Sequence, residues 1–253
     1  MKHQTHPPLA EASTKDVRPG KRALLYEGRV KNLYHSDKPE MIIQEFKSNG
    51  IIEGRKRTAA QQLAALKNEI SSYLFEYLEG FHLPTHFVSK ISETEMMVKR
   101  LAMIPLVVKI YNMGGGSLTK RLGLKEWEPL EFPIIEHYYR SDDTSISWVN
   151  EYHAYALGLT TPEEFKQINR LASKINAVLR GLCDRRQLML ADFQLEFGRC
   201  EGQIVVGDEL SPSTCHFVDT TEENKNDRDR FIAEREGAEE MFAVLRDRLA
   251  LRV

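Results

Sequence analysis

The sequence predicts an α+β chain in two lobes, a small antiparallel β-rich lobe followed by a larger α/β lobe. Three observations carry this expectation. Short apolar stretches bounded by turn residues recur at 22–47, 84–91 and 95–101, as antiparallel strands require. The stretch 59–79 and the segment opening at Pro162 keep apolar residues at helical spacing. Residues 188–208, LMLADFQLEFGRCEGQIVVGD, alternate and then return through a glycine, the pattern of a β-hairpin.

In chain order, residues 1–20 lack an apolar region and read as a mobile tail, not a secretory leader. The N-terminal lobe is expected over 21–103 and the C-terminal lobe over 104–253. Residues 22–47 form two or three strands with a turn near Asp37, Lys38 and Pro39. Ala59 to Glu79 forms a helix, with Leu63, Leu66, Ile70, Tyr73, Leu74, Tyr77 and Leu78 on its apolar stripe and Gly80 as terminator. Pro105 interrupts the pattern after the next strands and marks a hinge near 99–106. Thr161, Pro162 and Glu164 make a capping box with proline at the first helical position. The helix they start buries Phe165, Ile168, Leu171, Ile175, Val178, Leu179 and Leu182. A last helix, about 231–249, presents Phe242, Leu245 and Leu249 on one face.

The hairpin carries the chemistry. Strand alternation puts Met189, Ala191, Phe193, Leu195 and Phe197 on one face and Asp192, Gln194 and Glu196 on the other. A three-residue turn, Glu201 to Gln203, sets Glu196 opposite Asp208. Two carboxylates so placed repel unless a cation lies between them, and oxygen-only ligation with few protein carboxylates suits Mg2+ on a nucleotide's phosphates. Earlier in the chain, Gly28 permits close backbone approach and Arg29 and Lys31 add positive charge. In Asn112 to Arg121 a triple glycine precedes Ser117 and two cations, Lys120 and Arg121. If Ser117 caps a short helix, its free N–H groups form an anion pocket.

Bulk properties narrow the class. With 42% hydrophobic and 28% charged residues the chain can bury a core without staples. A net charge of −2 and a pI near 6.5 exclude a nucleic-acid footprint. No apolar run reaches the length of a membrane span. Cys183, Cys200 and Cys215 lack metal spacing and imply a reducing compartment. Cys200 and Cys215 are read as packing residues that could approach each other near the hairpin. His82 and His86 carry no metal signal.

Taken in order and spacing, LYEGRVKNLY (25–34), residues 84–106, GGGSLTKRLG (114–123), DFQLEFG (192–198), GDELSP (207–212) and DRDRF (227–231) resemble the SAICAR synthetase family. The likeness runs from about Lys21 to Leu249. It implies a two-lobed fold with an ATP cleft between the lobes. It also implies an ATP- and Mg2+-dependent ligase joining a carboxylate on a ribosylated imidazole to the amine of aspartate through an acyl phosphate. Carried over, Gly28, Arg29, Lys31, Lys99, Met103 and Arg140 border the nucleotide, and Glu196 and Asp208 hold its magnesium. Lys31, Asp192, Glu196 and Asp208 are the catalytic candidates, with Asp192 a general base or orienting group for the amine. Ser117, Lys120, Gln194 and His216 face the acceptor substrate. Partners are small-molecule acid and amine, with no nucleic acid and no membrane. A cytoplasmic homodimer is the expected setting.

The departures from the family fall on the acceptor side. Tyr111 stands where the family usually carries an arginine, Gln194 replaces a lysine, and Ser213 to His216 replaces an Asp-x-x-Arg segment. Asn49 to Gly54 shortens another loop, and no Asp-Pro pair precedes Ile146. Each charge-assisted hydrogen bond from an arginine contributes roughly 1.5–3 kcal/mol, so two missing ones amount to about 3–6 kcal/mol at a phosphate. Lys109, Lys120 or protonated His216 could supply part of that charge. Two alternatives therefore stand beside the family reaction: a paralogous amide ligase for another carboxylate, and a non-catalytic nucleotide-binding homologue. Retention of both Glu196 and Asp208 argues against the second.

Overall fold

Alternating apolar residues fold the first segment into β1 (Leu24–Glu27), β2 (Lys31–His35) and β3 (Met41–Phe46). The turn between the last two closes through the Met41 N–H on the Lys38 carbonyl, as Asp37 to Pro39 predicts. The structure is a computed structural model describing residues 20–21, 23–47, 57–140, 146–232 and 235–250. The N-terminal tail up to residue 19 and the shortened loop at 49–54 lie outside those residues.

Helix α1 (Arg57–Glu79) buries Leu63, Leu66, Ile70, Leu74 and Leu78, with Tyr73 and Tyr77 at the core margin. The helix stops at Glu79, as Gly80 predicts. Gly80 donates to the Glu76 carbonyl, but the left-handed residue is His82 (φ 57°), which turns the chain so that Leu83 donates back to Leu78. Strands β4 (Phe87–Lys90) and β5 (Glu95–Lys99) follow. They complete a five-stranded sheet in the order β1-β2-β3-β5-β4, with every pair antiparallel.

The rest of the chain is organised by β6 (Ala102–Met113), α2 (Gly116–Leu122), β7 (Pro129–Arg140), β8 (Ile146–Val149), α3 (Glu151–Ala156) and α4 (Pro162–Asp184). Then come β9 (Leu188–Cys200), β10 (Gln203–Gly207), β11 (Cys215–Asp219), α5 (Lys225–Arg228) and α6 (Ala238–Ala250). The second sheet runs β10-β9-β6-β7-β8, with β11 also on β9, and is antiparallel throughout. The Thr161 capping box is formed in full, and α4 buries Phe165, Ile168, Ile175, Leu179 and Leu182. Leu171 and Val178 only edge the core; Ala172 and Asn176 take the inner positions. The sequence reading passed over α3, whose Asn150 cap accepts from Tyr152 and His153.

The last helix begins at Ala238, not near 231. Phe231 is buried before it, and Phe242, Leu245 and Leu249 form the expected face. That face joins one apolar cluster running from Ile42 and Phe46 on the small sheet to Phe193 and Phe197 on the large one. Fully buried Asp219 pins the C-terminal segment, accepting from Arg248 (2.8 Å), from Thr221 through its N–H (2.9 Å) and hydroxyl (2.7 Å), and from Arg230. Burial would raise its pKa, but Arg248 and Thr221 hold it near 2. Among the described residues no helix is long and apolar enough to cross a membrane.

Candidate functional site

Strand β9 changes its edge partner halfway along. Leu188 to Phe193 pair with β11, and Glu196 to Cys200 pair with β10. The connection between those partners, Asp208 to Thr214, therefore crosses the edge of β9, with the Gln194 N–H donating to the Thr214 carbonyl at 2.8 Å. This crossing lies against the small sheet: Gln44 donates to the Asp208 carbonyl at 3.2 Å and Thr85 bridges Val206.

The hairpin register departs from expectation by one residue. Glu201 (φ 50°) and Gly202 (φ 78°) alone form the turn, and Cys200 pairs with Gln203, so Glu196 faces Gly207 instead of Asp208. Two successive positive φ values match the right-handed twist of a tight hairpin. Asp208 itself takes φ 65°, a left-handed conformation that aspartate tolerates better than most residues. The two carboxylates still feel each other. Burial and then the Asp208 charge push Glu196 up to about 7. Burial would raise Asp208 as well, but Lys31 holds it below the usual carboxylate range.

Each carboxylate has a cation. Lys31 reaches from the small sheet to Asp208 at 2.5 Å, with Glu209 at 3.7 Å, and Arg140 reaches Glu196 at 2.8 Å. Burial would lower the Lys31 pKa, but Asp208 and Glu209 keep it raised. Among the described residues no group of three or more His, Cys, Asp or Glu side chains converges as a metal cage. The donor set that does exist, two half-buried carboxyl groups whose mutual repulsion helps to raise Glu196, fits a hard divalent ion that would relieve that repulsion and take its remaining ligands from phosphates and water.

The other residues expected around a nucleotide lie between β1 and β2, at the end of β5 and at the start of β6. Gly28 turns the chain between β1 and β2, where an added Cβ would lie 2.8 Å from the Lys31 carbonyl. Arg29 is exposed in that bend and does not share a strand face with Lys31. Lys99 donates to the Thr85 carbonyl at 3.2 Å, and Met103 is exposed at the start of β6. Buried His86 packs edge-on to Phe75, and among the described residues neither of its ring nitrogens has a hydrogen-bond partner. Burial and then Lys31 push it down to about 3, so it is neutral.

The acceptor-side residues occupy the neighbouring stretch of the sheet. Tyr111 on β6 pairs with Asp192 on β9, which pairs with His216 on β11, and Lys109 pairs with Gln194. Asp192 holds Lys109 at 3.2 Å and His216 Nδ1 at 3.1 Å, while His216 Nε2 contacts Asp229 at 2.7 Å. Burial would raise Asp192, but His216 keeps it ionised below its usual range. Burial would lower His216, yet Asp192 and Asp229 push it up to about 9. The helix α2 is capped by Gly115 without a side-chain bond, so Ser117 lies inside the helix and does not cap it. Lys120 lines a cavity of about 540 Å³ with Gly116, Thr119, Leu124 and Glu126.

Alternation along β9 is broken by a bulge at Ala191 between its pairings with β11. Met189 and Ala191 consequently leave the main core and pack with Met113 and Val218 against Trp127, while Leu190 joins Phe193. Cys215 pairs with Phe193, seven residues from Cys200, a separation of about 23 Å along the strand. The two thiols are not neighbours. Gln44, Glu209, Asp229 and Trp127 escaped the sequence reading. Glu209 and Asp229 lay in quoted motifs without being singled out, and Gln44 and Trp127 reach the site through pairings no local pattern encodes.

Over most of its length the chain is similar to known proteins. A family model described as SAICAR synthetase matches residues 24–246. A phosphoribosylaminoimidazole-succinocarboxamide synthase from Chlorobaculum parvum is 40% identical over 230 residues, 90% of this chain and 98% of that protein. A crystal structure of the synthase from Ehrlichia chaffeensis superposes with a TM-score of 0.79 at 31% identity, covering 91% of this chain and 100% of that one. A SAICAR synthetase in complex with ADP gives 0.80 at 33% identity, covering 90% and 97%.

Proposed function

As a member of the SAICAR synthetase family, the chain is an ATP-dependent ligase, and we propose that it joins a carboxylic acid to an amine through an acyl phosphate. The observation that carries this reading is the half-buried pair Glu196 and Asp208, the first met by Arg140 from the same sheet and the second by Lys31 from the small one. A related protein of the same fold binds ADP, which supports ATP as the phosphoryl donor.

In the first step an oxygen of the acid attacks the γ-phosphorus of ATP, the bond to the β–γ bridging oxygen breaks, and ADP leaves. The amine then attacks the acyl carbon, inorganic phosphate departs with the carbon–oxygen electron pair, and the nitrogen loses a proton. Alignment and charge neutralisation suffice; no covalent protein nucleophile is needed. Magnesium held by Glu196 and Asp208 supplies neutralisation across the phosphates when bound. Lys31, kept charged by Asp208 and Glu209, offsets charge on the transferring group, with Lys99 on the same wall. Gly28, Arg29, Met103 and Arg140 border the nucleotide. Asp192, held ionised, accepts a hydrogen bond from the incoming amine and orients it. Ser117, Lys120, Gln194 and His216 form the acceptor end. This reading treats 21–103 and 104–253 as the two lobes. The family's imidazole ribotide and aspartate, the cytoplasm and a homodimer are carried over from the resemblance alone.

The test is ADP release by the purified chain with magnesium, ATP, acid and amine varied independently. Release that requires all four supports the ligase reading. Magnesium-independent binding of ATP with no turnover for any acid and amine overturns it.

A further inference from the structure

Strand register sets the middle of the site floor. On β9, Asp192, Gln194 and Glu196 share one face, and across the pairing with β6 they meet Tyr111, Lys109 and Val107. Lys109 therefore stands opposite Gln194, one diagonal step from Asp192 and one from Glu196, about 7–8 Å between Cα atoms each way. The cations around it differ in the donors they have left. His216 has both ring nitrogens on carboxylates, Asp192 and Asp229, so neither N–H remains for a ligand. Arg121 is clasped by both oxygens of Glu136, and Arg140 lies on Glu196. Lys109 contacts Asp192 Oδ1 at 3.2 Å, among the described residues its one ion-pair partner, and backs onto the ring of buried Tyr111. An ammonium carries three donors, so donors remain, and the side chain is 29% exposed and reachable from the cleft. Asp192 gives its other oxygen to His216, so an anion arriving at Lys109 need not displace it. Lys120, on α2 beside the cavity, is a separate cation for another anionic group of the same substrate.

We propose that Lys109 grips the acid's reacting carboxylate, the group that is phosphorylated and then joined to the amine. The inference rests on the ligase reading and deepens it. The carboxylate has to meet the γ-phosphorus beside Glu196 and its carbon then has to meet the amine beside Asp192. Its place is between those two side chains, where the floor offers Lys109 and Gln194. Lys109 holds one carboxylate oxygen while the other attacks phosphorus; it gives up no proton, and its charge offsets that of the acid. The chain lacks the lysine its family usually carries at 194, and the register puts Lys109 across from that position.

The experiment uses the full chain loaded with magnesium and ADP. Two probes are compared by calorimetry, 5-aminoimidazole-4-carboxylate ribotide and its 4-carboxamide, which share ring, sugar and phosphate and differ in the charge of the reacting group. The native chain is expected to prefer the carboxylate by at least about tenfold. Lys109→Met should remove most of that preference while the Kd of the carboxamide moves by less than about threefold. Adding Gln194→Lys to that variant returns a cation to the floor from the facing strand and should restore the preference to within about threefold of native. A native chain without the preference, equal loss for both ribotides, no loss in Lys109→Met, no rescue by the added lysine, or binding of neither ribotide overturns the proposal. Calorimetry does not depend on turnover, so the two readings fail separately. A Lys109-dependent preference in a chain that releases no ADP with any acid and amine leaves the anchor standing and refutes the ligase. ADP release with a preference independent of Lys109 does the reverse.

Discussion

Raising the pH from about 6.5 to about 9.5 is predicted to destabilise the protein through one residue, His216. Its folded pKa of about 9 lies above the ordinary 6.5. The sign follows: the stabilisation is complete below the unfolded value and is lost as pH climbs through the folded one. The groups facing the ring are Asp192 on β9, Asp229 after α5 and, through Asp192, Lys109 on β6. At roughly 1.4 kcal/mol per pH unit the gap sets a ceiling of about 3.4 kcal/mol. The side chain is 33% exposed, so solvent screening brings the effect to about 1–2 kcal/mol. For a chain of this size that is a fall in Tm of roughly 2–8 °C. Glu196, raised to about 7, changes stability mainly below that pH, so most of its effect lies outside the window. Thermal melts across the window should therefore show a steep slope in the native chain and a shallower one in His216→Gln. Equal slopes in the two proteins would refute the assignment of a doubly paired imidazolium.

Two structural substitutions give further checks. Gly114→Ala would place a Cβ 2.2 Å from the Lys125 carbonyl, so the urea midpoint should fall by the equivalent of about 1–3 kcal/mol. Phe242→Ala empties a fully buried position where α6 meets the core and should cost about 3–5 kcal/mol, read from the same denaturation curve.

Where sequence signals were local, they predicted the structure closely. The capping box at Thr161 and the stripe from Leu63 to Leu78 depend on spacings within one helix, and both helices form. The strands at 24–46 and 87–99 likewise follow from short-range pattern and turn residues. The errors came from features set by a neighbour. The turn at Glu201 and Gly202 is one residue tighter than expected, and Asp208 enters the site through a left-handed backbone, not through strand register. The bulge at Ala191 reverses alternation because β11 joins the edge of β9, which the sequence of β9 does not announce. The triple glycine shows the same division. Its turn character was legible, but Gly114 is required by the Lys125 backbone and Gly115 takes the cap expected of Ser117. Rewriting of the acceptor side was visible at Tyr111, Gln194 and His216. That His216 and Lys109 are neutralised by Asp192 and Asp229 required the pairing of three strands.

The central claim is that Glu196 and Asp208 together hold the divalent ion that aligns the phosphates. Asp208→Asn tests it most directly, because asparagine tolerates the same left-handed backbone while losing the charge. Magnesium-dependent ADP release by that variant should fall by at least about a hundredfold, the scale of a lost transition-state electrostatic contact, with its Tm within a few degrees of the native chain. Unchanged turnover with an unchanged magnesium requirement would contradict the account.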